Sequence, residues 1–147
     1  MEPGEEANRK VIKDFSELNC RGKRILLVDD IAMNQEIVEN MLEVTGAITE
    51  TAVNGQAAVA AFEKHPEGYY DLIFMDIRMP LMDGYEATKR IRGLNRTDAQ
   101  TIPIIAMSAD AFAEDVEKAK AAGMNEHLAK PIDIAQLTRV LQHYLRA

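Results

Sequence analysis

Apolar positions fall into short unbroken runs, at 25–28 (ILLV), 72–75 (LIFM) and 102–107 (IPIIAM), and into longer stretches where they recur every three or four residues. Continuous runs rich in Ile, Leu, Val and Met suit strands covered on both faces. A weaker run at 48–53 and a short one ending at Leu128 and Ala129 bring the predicted strands to five. Helical signals alternate with them. Ile37, Val38, Met41, Leu42 and Val44 make a stripe that ends at Gly46, and an Ala-rich segment at 57–62 follows Asn54-Gly55. A third helix at 85–91 follows Asp83-Gly84, a fourth at 112–122 ends at Gly123, and Ile134, Leu137, Val140, Leu141 and Tyr144 stripe a fifth after Pro131. The Gly and Asn signals are ordinary helix stops and starts. Strands separated by single helices need right-handed crossovers, so the pattern predicts a parallel sheet with helices on both faces. Ahead of the first strand, polar MEPGEEANRK gives way to Val11, Ile12, Phe15 and Leu18, one stripe of a short helix. Residues 1–21 are thus expected to be a tail or linker, with a helix that either frays or docks.

A length of 147 residues fits one domain with one core. The 47% hydrophobic and 28% charged residues exclude disorder, collagen-like repeats and a coiled coil. A net charge of -7 disfavours nucleic-acid phosphates and anionic membranes as partners. Cys20 is the single cysteine, so no internal disulfide forms, no Cys/His spacing suggests zinc, and no segment has the apolar length of a membrane span or signal peptide. A cytoplasmic location is expected, without nucleic-acid or membrane contact. Methionines including Met33, Met41, Met75 and Met107 read as core. His65 and His143 lack a ligand spacing or a nearby nucleophile and read as surface or structural residues.

In an open parallel sheet, chemistry collects at the carboxyl ends of the strands. Those ends carry Asp29-Asp30 after ILLV, Asp76 after LIFM, Ser108 after IIAM and Lys130 after HLA. Three carboxylates on one rim repel one another and call for a cation, and an all-oxygen set suits Mg2+ or Mn2+. A lysine and a hydroxyl beside that ion complete a cradle for a phosphoryl group, with a carboxylate as nucleophile. Each residue alone has a plain explanation as a turn, a cap or a solvated loop residue. Four strand ends carrying matching chemistry outweigh those explanations.

The segments ILLVDD, FMDIRMPLMDG, IIAMSAD and AGMNEHLAKPI, in this order, resemble a response-regulator receiver domain over residues 22–147. The resemblance implies a (βα)5 doubly wound, five-stranded parallel sheet in the flavodoxin-like order 2-1-3-4-5. It makes Asp76 the phosphoacceptor, served by a phosphohistidine from a histidine kinase or a histidine phosphotransfer protein. It also places Mg2+ on Asp30, Asp76 and the Arg78 main-chain carbonyl, with Asp29 acting largely through a metal-bound water. Ser108, with Ala109 beside it, and Lys130 would bind the phosphoryl group, and Lys130-Pro131 matches the family's cis peptide. The aromatic switch position falls on His127, where Tyr or Phe is common. Arg78 and Asp110 flank the path of attacking water, and as an ion pair they would lengthen the life of the acyl phosphate.

The phrases NQEIVENML, MDIRMPLMDGYEATKRIR and AGMNEHLAKPI are similar to receivers fused to hybrid sensor histidine kinases, and GKRILLVDD to the segment that leads into them. An output domain after the last helix is not expected, so a C-terminal receiver of a hybrid kinase is expected and a free-standing single-domain regulator is the alternative. A haloacid-dehalogenase-type phosphatase shares the Asp, Mg2+, Ser and Lys. It needs an acid two residues after its nucleophile, where Arg78 stands here, and a nucleophile on the first strand. A degenerate receiver used only for docking is disfavoured by the complete residue set.

Overall fold

The computed structural model describes residues 3–109 and 113–147. In chain order its elements are α1 (Pro3–Ser16), β1 (Arg24–Val28), α2 (Ala32–Val44), β2 (Ile48–Ala52), α3 (Gly55–Lys64) and β3 (Leu72–Asp76). They continue with α4 (Gly84–Arg92), α5 (Thr97–Thr101), β4 (Ile104–Ser108), α6 (Ala113–Ala122), β5 (Glu126–Ala129) and α7 (Ile134–Leu145). The five strands form one sheet in the order β2-β1-β3-β4-β5, and every neighbouring pair is parallel. The chain therefore reverses its direction of travel across the sheet between β1 and β3, which opens a crevice at their carboxyl ends.

Side chains alternate across the sheet and build a core on each face. Ile25, Leu27, Phe74, Ile105 and Met107 pack with Val38 and Leu42 of α2 and Leu137, Val140 and Leu141 of α7. Leu26, Val28, Ile73, Met75 and Ile104 pack on the other side with Phe62 of α3, Ala87 and Ile91 of α4, Ala99 of α5 and Ala119 of α6. Three helices start on capping side chains: Asn54 accepts from the Ala57 N–H at 2.8 Å, Asp83 from Glu86 at 2.9 Å, and Asp133 from Gln136 at 2.8 Å.

Helix α1 docks. It packs against α7, with Phe15 and Leu18 each only 8% exposed in the first core, while Ile12 of the same predicted stripe faces solvent. Cys20 is fully buried just beyond it.

Two expectations are corrected. Helix α5 is an additional element, and β4 begins at Ile104 instead of Ile102. The short helix is held in place by Arg96, which pairs with Asp98 at 2.8 Å and donates to the carbonyls of Phe62 and His65 at 3.0 and 2.7 Å. Pro103 then separates α5 from the strand and has no N–H to give to a ladder. The second correction concerns α2. Only Val38 and Leu42 of its predicted stripe are buried, whereas Met33, Ile37 and Val44 are exposed on a second stripe at i, i+4 and i+11. Met33, expected in the core, is 70% exposed because it lies in the first turn of α2, beside the open rim of the sheet.

Candidate functional site

Asp29 and Asp30 directly follow β1, Asp76 ends β3, Ser108 ends β4 and Lys130 directly follows β5. The parallel register brings these ends level: Val28 lies opposite Met75, Asp76 opposite Met107, and Ser108 opposite Ala129. All five residues meet at the crevice. One carboxylate oxygen from each of Asp29, Asp30 and Asp76 lies within 4.8 Å of the others, with Asp29 and Asp76 buried and Asp30 exposed. That spacing and the oxygen-only donor set fit a hard divalent cation.

Lys130 lies across these acids. Its Nζ stands 3.0 Å from Asp29 Oδ2 and 3.3 Å from Asp76 Oδ2. The other Asp29 oxygen accepts from the Ile31 N–H at 2.9 Å, which fixes its plane. Burial pushes the Asp76 carboxyl up to about 6; Lys130 opposes that shift, and Asp29 and then Asp30 add to it. Burial works against the charge of Lys130, but the hydrogen bond to Asp29 and the charges of Asp76 and Asp29 outweigh it and raise its pKa. A buried carboxylate in this company gains from any cation that approaches it. The Lys130–Pro131 bond is cis.

Gln35 escapes sequence reasoning, whereas Gly84 is legible there as part of the turn after Asp76 but not for its steric role. Gln35 in the first turns of α2 donates Nε2 to the carbonyls of Asp29 at 2.6 Å and Ala52 at 3.0 Å, tying the acidic loop to β2. Only its place six residues after Asp29 signalled it. Gly84 permits a close approach: a Cβ there would lie 2.4 Å from the Asp76 carbonyl oxygen and 2.9 Å from Ile77 Cα. The Gly84 N–H donates to the Ile77 carbonyl at 2.8 Å, so the loop after Asp76 folds tightly back on its own strand.

The remaining expected residues are placed as follows. His127 is half-buried on β5, with Nε2 2.7 Å from Ser108 Oγ. Ala109 is exposed beside Ser108, and the Arg78 side chain is exposed two residues beyond Asp76. Asp110 lies outside the described residues. His65 stacks on Tyr69 with ring centroids 3.6 Å apart, and His143 lies on the exposed side of α7; both are remote from the crevice residues in sequence.

Residues 25–142 match the response regulator receiver domain family. The chain belongs to that family. A probable histidine kinase 2 of Oryza sativa subsp. indica is 42% identical over 123 residues, a match that takes in 76% of this chain and 12% of the kinase. The chain thus spans a small part of the curated relatives it matches. Among solved structures, the receiver domain of sensor histidine kinase PA1611 from Pseudomonas aeruginosa PAO1 has a magnesium ion coordinated in its active site cleft. It superposes with a TM-score of 0.76 at 40% identity, over 86% of this chain and 99% of that one. The receiver domain of Ssk1, in complex with the histidine phosphotransfer protein Ypd1 of Saccharomyces cerevisiae, gives 0.73 at 31% identity, over 83% of this chain and 88% of that one. This receiver domain is a module of two-component signal transduction, with the parallel fold of its family. No helix among the described residues is long and apolar enough to cross a membrane.

Proposed function

We propose that this receiver accepts a phosphoryl group on Asp76 from the phosphohistidine of a histidine kinase or histidine phosphotransfer protein. The reading rests on one arrangement: three carboxylates within 4.8 Å of one another, with the Lys130 ammonium against two of them. A carboxylate oxygen of Asp76 attacks phosphorus, the P–N bond breaks, and its electron pair returns to the leaving imidazole, which takes a proton from solvent. Water later hydrolyses the acyl phosphate and restores Asp76. Asp30, Asp76 and the Arg78 carbonyl would hold Mg2+ or Mn2+, with Asp29 acting largely through a metal-bound water, and the ion would supply positive charge for the phosphoryl oxygens. Lys130 and the Ser108 hydroxyl bind the same oxygens. Arg78 and Asp110 act on the approach of water and so on the lifetime of the phosphoprotein.

Ile31, Met33 and Ile37 supply an exposed apolar patch beside the acidic rim, suited to a protein partner that must bring its own histidine to Asp76. The net charge of -7 supports such a partner over nucleic acid or an anionic membrane. Likeness to kinase receivers from rice and Pseudomonas supports a hybrid sensor histidine kinase as the parent protein, acting from the cytoplasm.

Incubation with acetyl phosphate and Mg2+, followed by intact-mass measurement, tests the assignment. One phosphoryl group is expected on the wild type, and none on Asp76→Asn or in EDTA. Equal labelling of Asp76→Asn rejects the acceptor, and full labelling in EDTA rejects the metal.

A further inference from the structure

The hydroxyl at the end of β4 is held by a ring from β5, and the register of the two strands explains how. His127 lies opposite Ala106 and Ala129 opposite Ser108. Residues two apart on a strand share a face, so Ser108 and His127 are diagonal neighbours on the side of the sheet that carries Ala106. Ala106 is fully buried and presents only a methyl group, which lets the imidazole lean over it toward Ser108. Nε2 reaches Ser108 Oγ at 2.7 Å, a full hydrogen bond.

The other ring nitrogen decides the direction of that bond. His127 Nδ1 is buried and has no hydrogen-bond partner among the described residues. A neutral imidazole carries one N–H and one lone pair. Leaving an N–H without a partner in the interior is the rarer and more costly arrangement. The proton therefore belongs on Nε2, where it is donated to Ser108 Oγ. Burial also favours the neutral ring, against the pull of the Asp115 charge on α6.

Resting on the receiver reading above, we propose that His127 is a positioning residue that donates its Nε2–H to Ser108 Oγ, directing the hydroxyl's own proton toward an anion bound at Asp76. The coupling between the two strands is then a hydrogen bond with a defined donor, and not the packing of a ring alone. A ring of the same shape without the N–H cannot supply it, whereas a glutamine amide reaching the same point can.

Two measurements test this. Long-range 1H–15N NMR on the wild-type protein reports the imidazole tautomer directly. Protonation at Nε2 is expected, and protonation at Nδ1 in the neutral ring overturns the proposal whatever any variant does. Binding of beryllofluoride, a phosphoryl mimic, is then titrated in Mg2+ for wild type, His127→Gln and His127→Phe. The glutamine variant is expected to stay within about twofold of wild type and the phenylalanine variant to bind about fivefold to tenfold more weakly. Equal binding by all three overturns the role of His127 and leaves the receiver reading intact. Failure of the wild type to bind beryllofluoride at all, together with absence of Asp76 labelling, overturns the receiver reading itself and this proposal with it.

Discussion

Lys130 and Asp76 stand 3.3 Å apart, Nζ to Oδ2, although β4 lies between the strands that carry them. The lysine extends across the end of β4 to reach the acids, and it is the one side-chain cation in contact with them among the described residues. Removing one member of such a set has a sign that depends on which charge goes. Lys130→Ala leaves two buried carboxylates without their cation and is expected to lower stability by about 1–3 kcal/mol in EDTA. Asp76→Asn removes a buried charge that repels Asp29 and Asp30, and is expected to raise stability by about 1 kcal/mol under the same conditions. Saturating Mg2+ should shrink both differences, since binding to the native state offsets the same repulsion. Urea denaturation of the three proteins with EDTA and with Mg2+ checks this, and a stabilised Lys130→Ala protein in EDTA contradicts it.

Gly84 sets the shape of the loop after the acceptor. The methyl of Gly84→Ala would lie 2.4 Å from the Asp76 carbonyl oxygen, a backbone atom that cannot swing aside as a side-chain tip does. The substitution is expected to cost about 1–3 kcal/mol and to displace the loop that carries Arg78. Labelling by acetyl phosphate should slow even where the protein stays folded. Unchanged stability together with unchanged labelling shows that the loop relaxes freely.

How much of this was legible in the chain depends on the scale of the signal. The strands stood out because 25–28 and 72–75 are buried on both faces, so burial leaves no polar position to interrupt them. Four strand ends carrying acids, a hydroxyl and a lysine made the crevice readable for the same reason, since a parallel sheet gathers such ends. Helix α5 was not readable, because its five residues are anchored by Arg96 and its partners instead of by an apolar stripe. Ile37 misled because periodicity says that a face is apolar and not what covers it, and Met33 because an apolar side chain need not be covered at all. Gln35 acts through the main chain by donating to carbonyls and leaves no pattern, while Asp83-Gly84 marked a turn without showing that a Cβ there would meet the Asp76 carbonyl.

The N-terminal helix offers a separate test. Phe15 and Leu18 are each 8% exposed, packed in the core that α7 shares. A frayed linker would tolerate their loss, whereas a docked helix would not. Phe15→Ala is expected to cost about 3 kcal/mol, the low end for a core phenylalanine, since Phe15 still keeps 8% of its surface exposed. Ile12→Ala, on the exposed side of the same helix, should change stability by less than about 0.5 kcal/mol. Equal small effects at both positions mean that α1 does not dock in solution.

The stability of the fold should also respond to pH through His127. Its ring meets Ser108 from β4, while Asp115 on α6 supplies the nearest opposing charge, and Tyr85 of α4 donates to the Asp115 carbonyl at 3.4 Å. Burial lowers the pKa of His127 below its ordinary 6.5, with Asp115 pulling weakly the other way. The unfolded chain then binds more protons at this position than the native one does between the two pKa values, so stability falls as the medium is acidified. The contribution is complete above about pH 7 and is lost progressively below the ordinary histidine pKa of about 6.5. Asp76 works in the opposite sense, because a carboxyl raised to about 6 gains a proton more readily in the folded state. Total stability against pH therefore mixes the two. The difference between wild type and His127→Gln isolates the histidine, since glutamine does not titrate and Asp76 is common to both. Wild type is expected to lose stability relative to His127→Gln between pH 7 and pH 5, by no more than about 1.4 kcal/mol per pH unit. Parallel curves across that range would place the imidazole in solvent and remove the physical basis for a neutral ring against Ser108.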